Sequence, residues 1–156
     1  MALAPDRPRL PPGATRERLR LWLRLLRVTR EVEAELRRRL AAEFDITLPR
    51  FDVMATLYSD PAGMKMSELS RRLKVSNGNV TGIIDRLVTE RLVIRAVPDG
   101  DRRASVVTLT EAGRARFAAM ASVHNRWIDE LLAGLSADDA GTAAALIDRI
   151  AEKAAA

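Results

Sequence analysis

The residues with the clearest chemical pattern lie between positions 67 and 86, where small polar and basic side chains interrupt a regular apolar spacing. Amide, hydroxyl and guanidinium groups hydrogen-bond base edges and phosphates, which is the chemistry of duplex DNA recognition. Gly78 and Gly82 stand one helical turn apart, and each costs about 1 kcal/mol relative to Ala inside a helix. They either let a helix backbone approach DNA closely or relieve crowding against a neighbouring helix. The predicted DNA-contacting residues in this segment are Ser67, Arg71, Arg72, Lys74, Ser76, Asn77, Gly78, Asn79, Thr81, Gly82 and Arg86.

A second charged group, Asp101, Arg102 and Arg103, stands in a turn that separates two β-branched runs, 92–97 and 104–109. This arrangement predicts a hairpin with the arginines at its tip. Arginines at such a tip have no place in a core and suit the narrow minor groove of DNA, with Asp101 orienting Arg103. The alternative is a solvated turn.

Two short amphipathic helices are predicted to position the first group. Ser67 is the predicted N-cap of one helix, and Leu69 and Leu73 form its buried stripe; Ser76 is the predicted N-cap of the next. The inward stripe of the second helix is Val80, Ile83, Ile84 and Leu87. Lys74 occupies a turn position that often holds glycine, so it must tolerate an unusual backbone. The two elements together form a helix-turn-helix.

Longer helices are predicted on both sides of this lobe. Residues 1–14, rich in proline, are the expected flexible leader; residues 15–48 form the first long helix, residues 49–110 the lobe, and residues 111–156 two C-terminal helices. The first helix carries an apolar stripe of Val28, Val32, Leu36, Leu40 and Phe44. Its start is apolar nearly all round, which favours self-association. The last helix, capped by Ser136, is expected to turn Ala145, Leu146 and Ile150 inward.

The composition bounds the possible functions. The chain has 156 residues, of which 47% are hydrophobic and 30% charged, a net charge of +5, no cysteine, and His124 as its single histidine. Residues 71–103 hold eight basic and four acidic side chains. No apolar run approaches the roughly 20 residues of a membrane span, and no secretory signal is evident, so a cytoplasmic protein is expected. No nucleophile elbow, phosphate loop, cofactor motif or metal-ligand set is present, which argues against an enzyme.

The sequence resembles the multiple-antibiotic-resistance regulator (MarR) family of winged-helix repressors. The matching segments are Leu69-Ser-Arg-Arg-Leu73, Val80-Thr-Gly-Ile-Ile-Asp-Arg-Leu87, Leu92-Val-Ile-Arg95, Asp101-Arg-Arg-Ala104 and Leu109-Thr-x-x-Gly113. The resemblance implies a mainly α fold with a small β-hairpin, a winged helix-turn-helix domain flanked by N- and C-terminal dimerisation helices. It also implies a homodimer on a palindromic double-stranded DNA operator, a recognition helix that starts at Ser76, and a wing whose tip is residues 101–103. The remaining functional alternative is a winged-helix protein-interaction module.

Two segments, 46–55 and 75–82, are similar to the branch of this family that controls breakdown of aromatic acids. That similarity implies release from the operator by a hydroxycinnamate, a benzoate or an aromatic acyl-CoA thioester. Aromatic, Met and basic residues on the flanking helices are the candidate ligand contacts. They are Trp22, Leu25, Arg30, Arg50, Phe51, Met54, Phe117, Met120, His124 and Trp127. The alternative for the aromatic and Met residues is plain core packing.

Overall fold

The computed structural model describes residues 13–96 and 105–155. Within them the elements are α1 Ala14–Phe44, α2 Leu48–Tyr58, β1 Met64–Lys65, α3 Met66–Leu73, α4 Asn77–Thr89, β2 Val93–Ala96, β3 Val106–Leu109, α5 Glu111–Leu131 and α6 Ala137–Ala155. The mainly α fold with a small β-hairpin is therefore confirmed. The wing tip Asp101, Arg102 and Arg103 and most of the predicted leader lie outside the described residues.

The sheet has three antiparallel strands in the order β1-β3-β2. The hairpin of β2 and β3 matches the prediction, with Val93 opposite Leu109. The third strand, β1, was not predicted, and it adds Met64 opposite Val107. Gly63 makes this pairing possible, because its φ is 81° and a Cβ there would lie 2.2 Å from the Thr108 side chain. Only glycine fits that turn without strain.

One apolar core joins the helix-turn-helix, the sheet, α2, α5 and the C-terminal half of α1. The stripes predicted for α3 and α4 point into it: Leu69, Val80, Ile84 and Leu87 are fully buried, and Leu73 and Ile83 are half-buried. On α1 the predicted stripe is covered from Val32 onward, whereas Val28 is exposed. The lobe therefore packs on only the second half of α1.

The first half of α1 and all of α6 leave apolar side chains in solvent. The exposed apolar residues on these helices include Leu19, Leu21, Trp22, Leu23, Val28, Leu146, Ile147 and Ile150. The expectation that Ala145, Leu146 and Ile150 turn inward is wrong for the single chain, because all three are exposed. Periodicity identifies the apolar face of a helix, but it does not reveal whether the same chain supplies the cover.

The caps show where local sequence decides a helix boundary. Ser76 and Thr110 accept hydrogen bonds from the backbone N–H groups of Asn79 and Gly113, as N-caps do. The cap predicted at Ser67 is wrong: α3 begins at Met66 after Lys65, and no side chain caps it. The reason is that β1 runs directly into α3, so pairing with β3 sets the start of the helix.

Candidate nucleic-acid interface

The N-terminal face of α4 is open to solvent. Ser76 caps the helix, with the Asn79 N–H 3.4 Å from the Ser76 hydroxyl oxygen. Gly78, Asn79, Thr81 and Gly82 are exposed on the following turns, and the side chain of Asn77 lies outside what the structure describes. The residues predicted to read bases therefore lie together at the exposed N-terminal end of α4, as far as their side chains are described.

The two glycines of α4 have no packing role within the described chain. Apart from its chain neighbours and the backbone of α4 itself, a Cβ built on Gly78 or on Gly82 would have no atom of the described residues within 4 Å. The explanation that these glycines relieve crowding against a neighbouring helix therefore finds no neighbour in a single chain. What the glycines provide is a bare stretch of helix surface on which another molecule can approach the backbone.

Basic side chains flank this surface at the end of α3. Arg71, Arg72 and Lys74 are exposed. Arg72 binds Glu68 at 2.7 Å, whereas Arg71 and Lys74 have no ion-pair partner among the described residues. Lys74 has the unusual backbone predicted for it, a left-handed conformation with φ of 54°. Within the part of the chain that the structure describes, Arg71 and Lys74 are therefore unpaired cations beside the capped end of α4. Ser67 lies exposed in the first turn of α3.

The far end of α4 is held by charges that sequence reasoning missed. Arg50 on α2 donates a hydrogen bond to Glu90, the residue that follows α4. Arg95 on β2 lies 2.9 Å from Asp85 on α4. Arg86 is also 3.5 Å from Glu90, although most of its side chain is exposed. The only signal in the sequence was the i,i+4 spacing of residues 86 and 90, because the other partners are distant along the chain.

The base of the wing is joined to α5 through Thr110 and Gly113. The Thr110 hydroxyl donates to the Arg91 carbonyl oxygen at 2.8 Å and accepts from the Gly113 N–H at 2.9 Å. A Cβ on Gly113 would lie 2.0 Å from the Leu92 carbonyl oxygen, so only glycine fits. This contact fixes the start of α5 against the strand that leads into the wing.

The candidate ligand residues divide into two groups. Phe51, Met54, Phe117, Met120 and Trp127 are buried together in the core, and His124 stacks on Phe51 with ring centroids 4.7 Å apart. By contrast Trp22, Leu25 and Arg30 lie on the half of α1 that the lobe does not reach, where Trp22 is 55% exposed.

Arg50 belongs to neither group, because its guanidinium already holds a carboxylate of the same chain. A single chain therefore does not bring the ten residues together, and their role in ligand binding stays a prediction.

An ion-pair network joins α1 to α5 behind the lobe. Arg39 lies 2.7 Å from Glu35 and 2.6 Å from Glu130, and its guanidinium packs 5.8 Å from the Trp127 ring centroid. Hydrogen bonds from Arg38 and Arg39 lower the pKa of Glu35 to about 2. The network joins α1 to α5, the helix that carries core aromatic residues.

Two further properties concern the described ranges only. Neither 13–96 nor 105–155 contains a helix long and apolar enough to cross a membrane. The same ranges contain no group of three or more His, Cys, Asp or Glu residues placed to hold a metal ion.

Comparison with known proteins identifies the family. A family model described as MarR family matches residues 44–104. The transcriptional activatory protein BadR of Rhodopseudomonas palustris is 33% identical over 115 residues, which is 71% of this chain and 60% of that protein, so the alignment spans less than two thirds of its length.

Solved structures match over more of the chain. A mutant MarR from E. coli complexed with operator DNA is 26% identical with a TM-score of 0.74, and the match covers 89% of this chain and 99% of that one. A crystal structure of a MarR family transcriptional regulator from Silicibacter pomeroyi is 36% identical with a TM-score of 0.76, covering 92% of this chain and 99% of that one. With such identity across nearly the whole of that regulator, the chain belongs to the MarR family, whose members are transcriptional regulators and not enzymes.

Proposed function

We propose that the protein is a homodimeric regulator that binds a palindromic operator in double-stranded DNA. The observation that carries this proposal is the exposed, capped end of α4, where a Cβ on either glycine would meet no other part of the described chain within 4 Å and small polar side chains stand between the two. Glycine destabilises a helix relative to alanine, and no packing contact among the described residues offsets that cost. The operator complex of the E. coli relative, which shares the fold, supports DNA as the missing neighbour.

The unpartnered helices support a dimer. The apolar side chains exposed on α1 and α6 need a cover, and a second copy offers matching surfaces. Residues 14–30 carry six arginines and one glutamate, whereas α6 carries four carboxylates and two cations. This charge complementarity favours contact between α1 of one copy and α6 of the other. The proposed interface is therefore apolar at its centre and ionic at its edges.

In the proposed complex the two α4 helices enter successive major grooves, about 34 Å apart on one face of B-DNA. Asn79 and Thr81 read base edges, while Arg71, Arg72 and Lys74 contact phosphates and make the affinity strongly salt-dependent. Arg103 at the wing tip, which lies outside the described residues, is proposed to enter the flanking minor groove.

We also propose that an aromatic acid or an aromatic acyl-CoA releases a repressor from its operator. The support is the similarity of residues 46–55 and 75–82 to the branch of the family that controls breakdown of aromatic acids, together with the aromatic group of Phe51, Phe117 and His124 on α2 and α5. A ligand acts only through its differential affinity for the two states, and a 10–100-fold release needs about 1.4–2.8 kcal/mol of coupling. Since the relative BadR is named an activatory protein, an in vitro transcription assay is needed to test the sign of regulation.

The experiment for DNA recognition is selection from a random duplex library, followed by footprinting across a salt series. We expect the selection to yield one palindromic sequence and the footprint to cover its two half-sites. The Asn79→Ala variant is expected to discriminate less between that operator and random duplex. A protein that binds no duplex in a sequence-dependent way would instead support a protein-interaction module.

The experiment for the effector is isothermal titration with p-coumaroyl-CoA, benzoyl-CoA and the corresponding free acids. Binding of any of them, with release of the operator at the same concentration, is the expected result. Heats at the level of dilution for all of these compounds would refute the aromatic-effector proposal while leaving the DNA-binding proposal intact.

A further inference from the structure

The recognition helix α4 is held in the lobe by two kinds of contact. Val80, Ile84 and Leu87 bury its inner face, and their packing sets its approximate angle against the core. Two ion pairs tie the helix to neighbouring elements: Arg50 reaches Glu90 from α2, and Arg95 on β2 lies 2.9 Å from Asp85. Arg95 Nη2 makes no hydrogen bond among the described residues, so the Arg50–Glu90 pair is the hydrogen-bonded one of the two.

The Arg50–Glu90 pair is the more buried of the two. The Arg50 side chain is 9% exposed, whereas that of Asp85 in the other pair is mostly exposed. Arg50 Nε has no hydrogen-bond partner among the described residues, so Glu90 is the main compensation for the buried charge. A buried cation that loses its carboxylate is left uncompensated, which makes this contact costly to break.

Glu90 also lies within reach of Arg86, at 3.5 Å. The Arg86 side chain is 71% exposed and can move to a phosphate, but the Arg50 side chain is enclosed by the core. Arg50 would therefore continue to hold Glu90 when Arg86 contacts DNA. The pair joins the end of α4 to a helix that does not itself face the DNA.

We propose that Arg50 is a positioning residue that sets the angle of α4 on DNA, an inference that rests on the proposed DNA-binding function. From Glu90 to Asn79 is eleven residues of helix, or about 16 Å, so a tilt of about 10° at Glu90 displaces Asn79 by about 3 Å. A displacement of that size equals the length of a hydrogen bond and removes base readout. Phosphate contacts, which carry no sequence information, tolerate it better.

The test compares Arg50→Gln and Arg50→Lys with the unmutated dimer on the selected operator and on random duplex. For Arg50→Gln we expect the ratio of the two affinities to fall at least tenfold, while the slope of affinity against salt concentration is unchanged. Arg50→Lys, which keeps the charge, is expected to recover most of the ratio. Glu130→Gln breaks the exposed ion pair between α5 and Arg39 and is the matched control, with a ratio within twofold of the unmutated protein.

If Arg50→Gln does not fold, the double variant Arg50→Gln with Glu90→Gln replaces the ion pair by a neutral amide pair and takes its place. A merely structural role would lower the unfolding midpoint and leave the affinity ratio of the folded fraction unchanged. An affinity ratio within twofold of the unmutated protein overturns the inference. An unmutated protein with no preference for any duplex refutes the proposed function and the inference with it.

Discussion

Replacing Gly82 by alanine should make the protein more stable and a poorer DNA binder. Gly82 lies in the interior of the 13-residue helix α4, where glycine destabilises a helix most relative to alanine. Apart from its chain neighbours and the backbone of α4, a Cβ at this position meets no atom of the described chain within 4 Å, so the substitution introduces no clash with the described part of the free protein. The free energy of unfolding should therefore rise by about 1 kcal/mol.

The same methyl group should obstruct the DNA complex. In the proposed complex the bare backbone at Gly82 lies against the duplex, so the added Cβ must push α4 outward. We expect the operator affinity to fall at least tenfold, which corresponds to about 1.4 kcal/mol or more. Stability and affinity thus change in opposite directions, which is not the result of a general disruption of the fold.

Urea unfolding measures the first effect, and fluorescence anisotropy on the labelled operator measures the second. Gly141→Ala in α6 is the matched control for stability, because its Cβ also meets no other part of the described single chain within 4 Å. Since α6 belongs to the proposed dimer interface, the affinity of this variant is compared after sedimentation has shown that it is still a dimer. That variant should gain similar stability and keep its affinity. A Gly82→Ala protein that is more stable and binds the operator with unchanged affinity would refute the claim that this glycine serves close approach to DNA.

Three further predictions concern the stability of the scaffold. Gly113→Ala should lower the free energy of unfolding in urea by about 1–3 kcal/mol, because its Cβ would lie 2.0 Å from the Leu92 carbonyl oxygen. Arg91→Gly should raise it by about 1 kcal/mol, since Arg91 has φ of 58° in a region that glycine adopts more readily. The pKa of Glu35 is lowered from 4.5 to about 2, so its stabilising contribution is complete above pH 4.5 and is lost as the pH falls toward 2. Glu35→Gln should therefore show a smaller fall in thermal midpoint across that window than the unmutated protein.

Each of these predictions has a result that contradicts it. Unchanged stability of Gly113→Ala would mean that the Leu92 carbonyl moves away freely. A less stable Arg91→Gly protein would mean that the arginine side chain contributes more than its backbone costs. An identical acid profile for Glu35→Gln would assign the low-pH loss to other carboxylates.

Features that depend on nearby residues could be predicted from the sequence. The stripes of α3 and α4, the caps at Ser76 and Ser136, and the unusual backbone of Lys74 all follow from residues within a few positions of one another. The strands of the hairpin are also consecutive in the chain, so the sequence pattern predicted both the helix-turn-helix and the hairpin. The two glycines of α4 were identified from the sequence as part of the candidate interface, and the structure shows that both are exposed.

Features that depend on partners distant in the sequence could not be predicted. Strand β1 is two residues long and exists because it pairs with β3 more than forty residues later. A buried Arg50 is unexpected from its residue type, and it is tolerated because Glu90 lies forty positions away in sequence and adjacent in space. The prediction that the face of α6 carrying Leu146 turns inward is wrong for the single chain, since periodicity does not distinguish a core from an interface.

The most direct test of the central claim is sedimentation of the protein with a duplex selected from a random library. Two chains per duplex, protecting two inverted half-sites whose centres lie about 10 base pairs apart, is the predicted result. A single chain per duplex, or a complex that forms equally well on every sequence, would contradict the account.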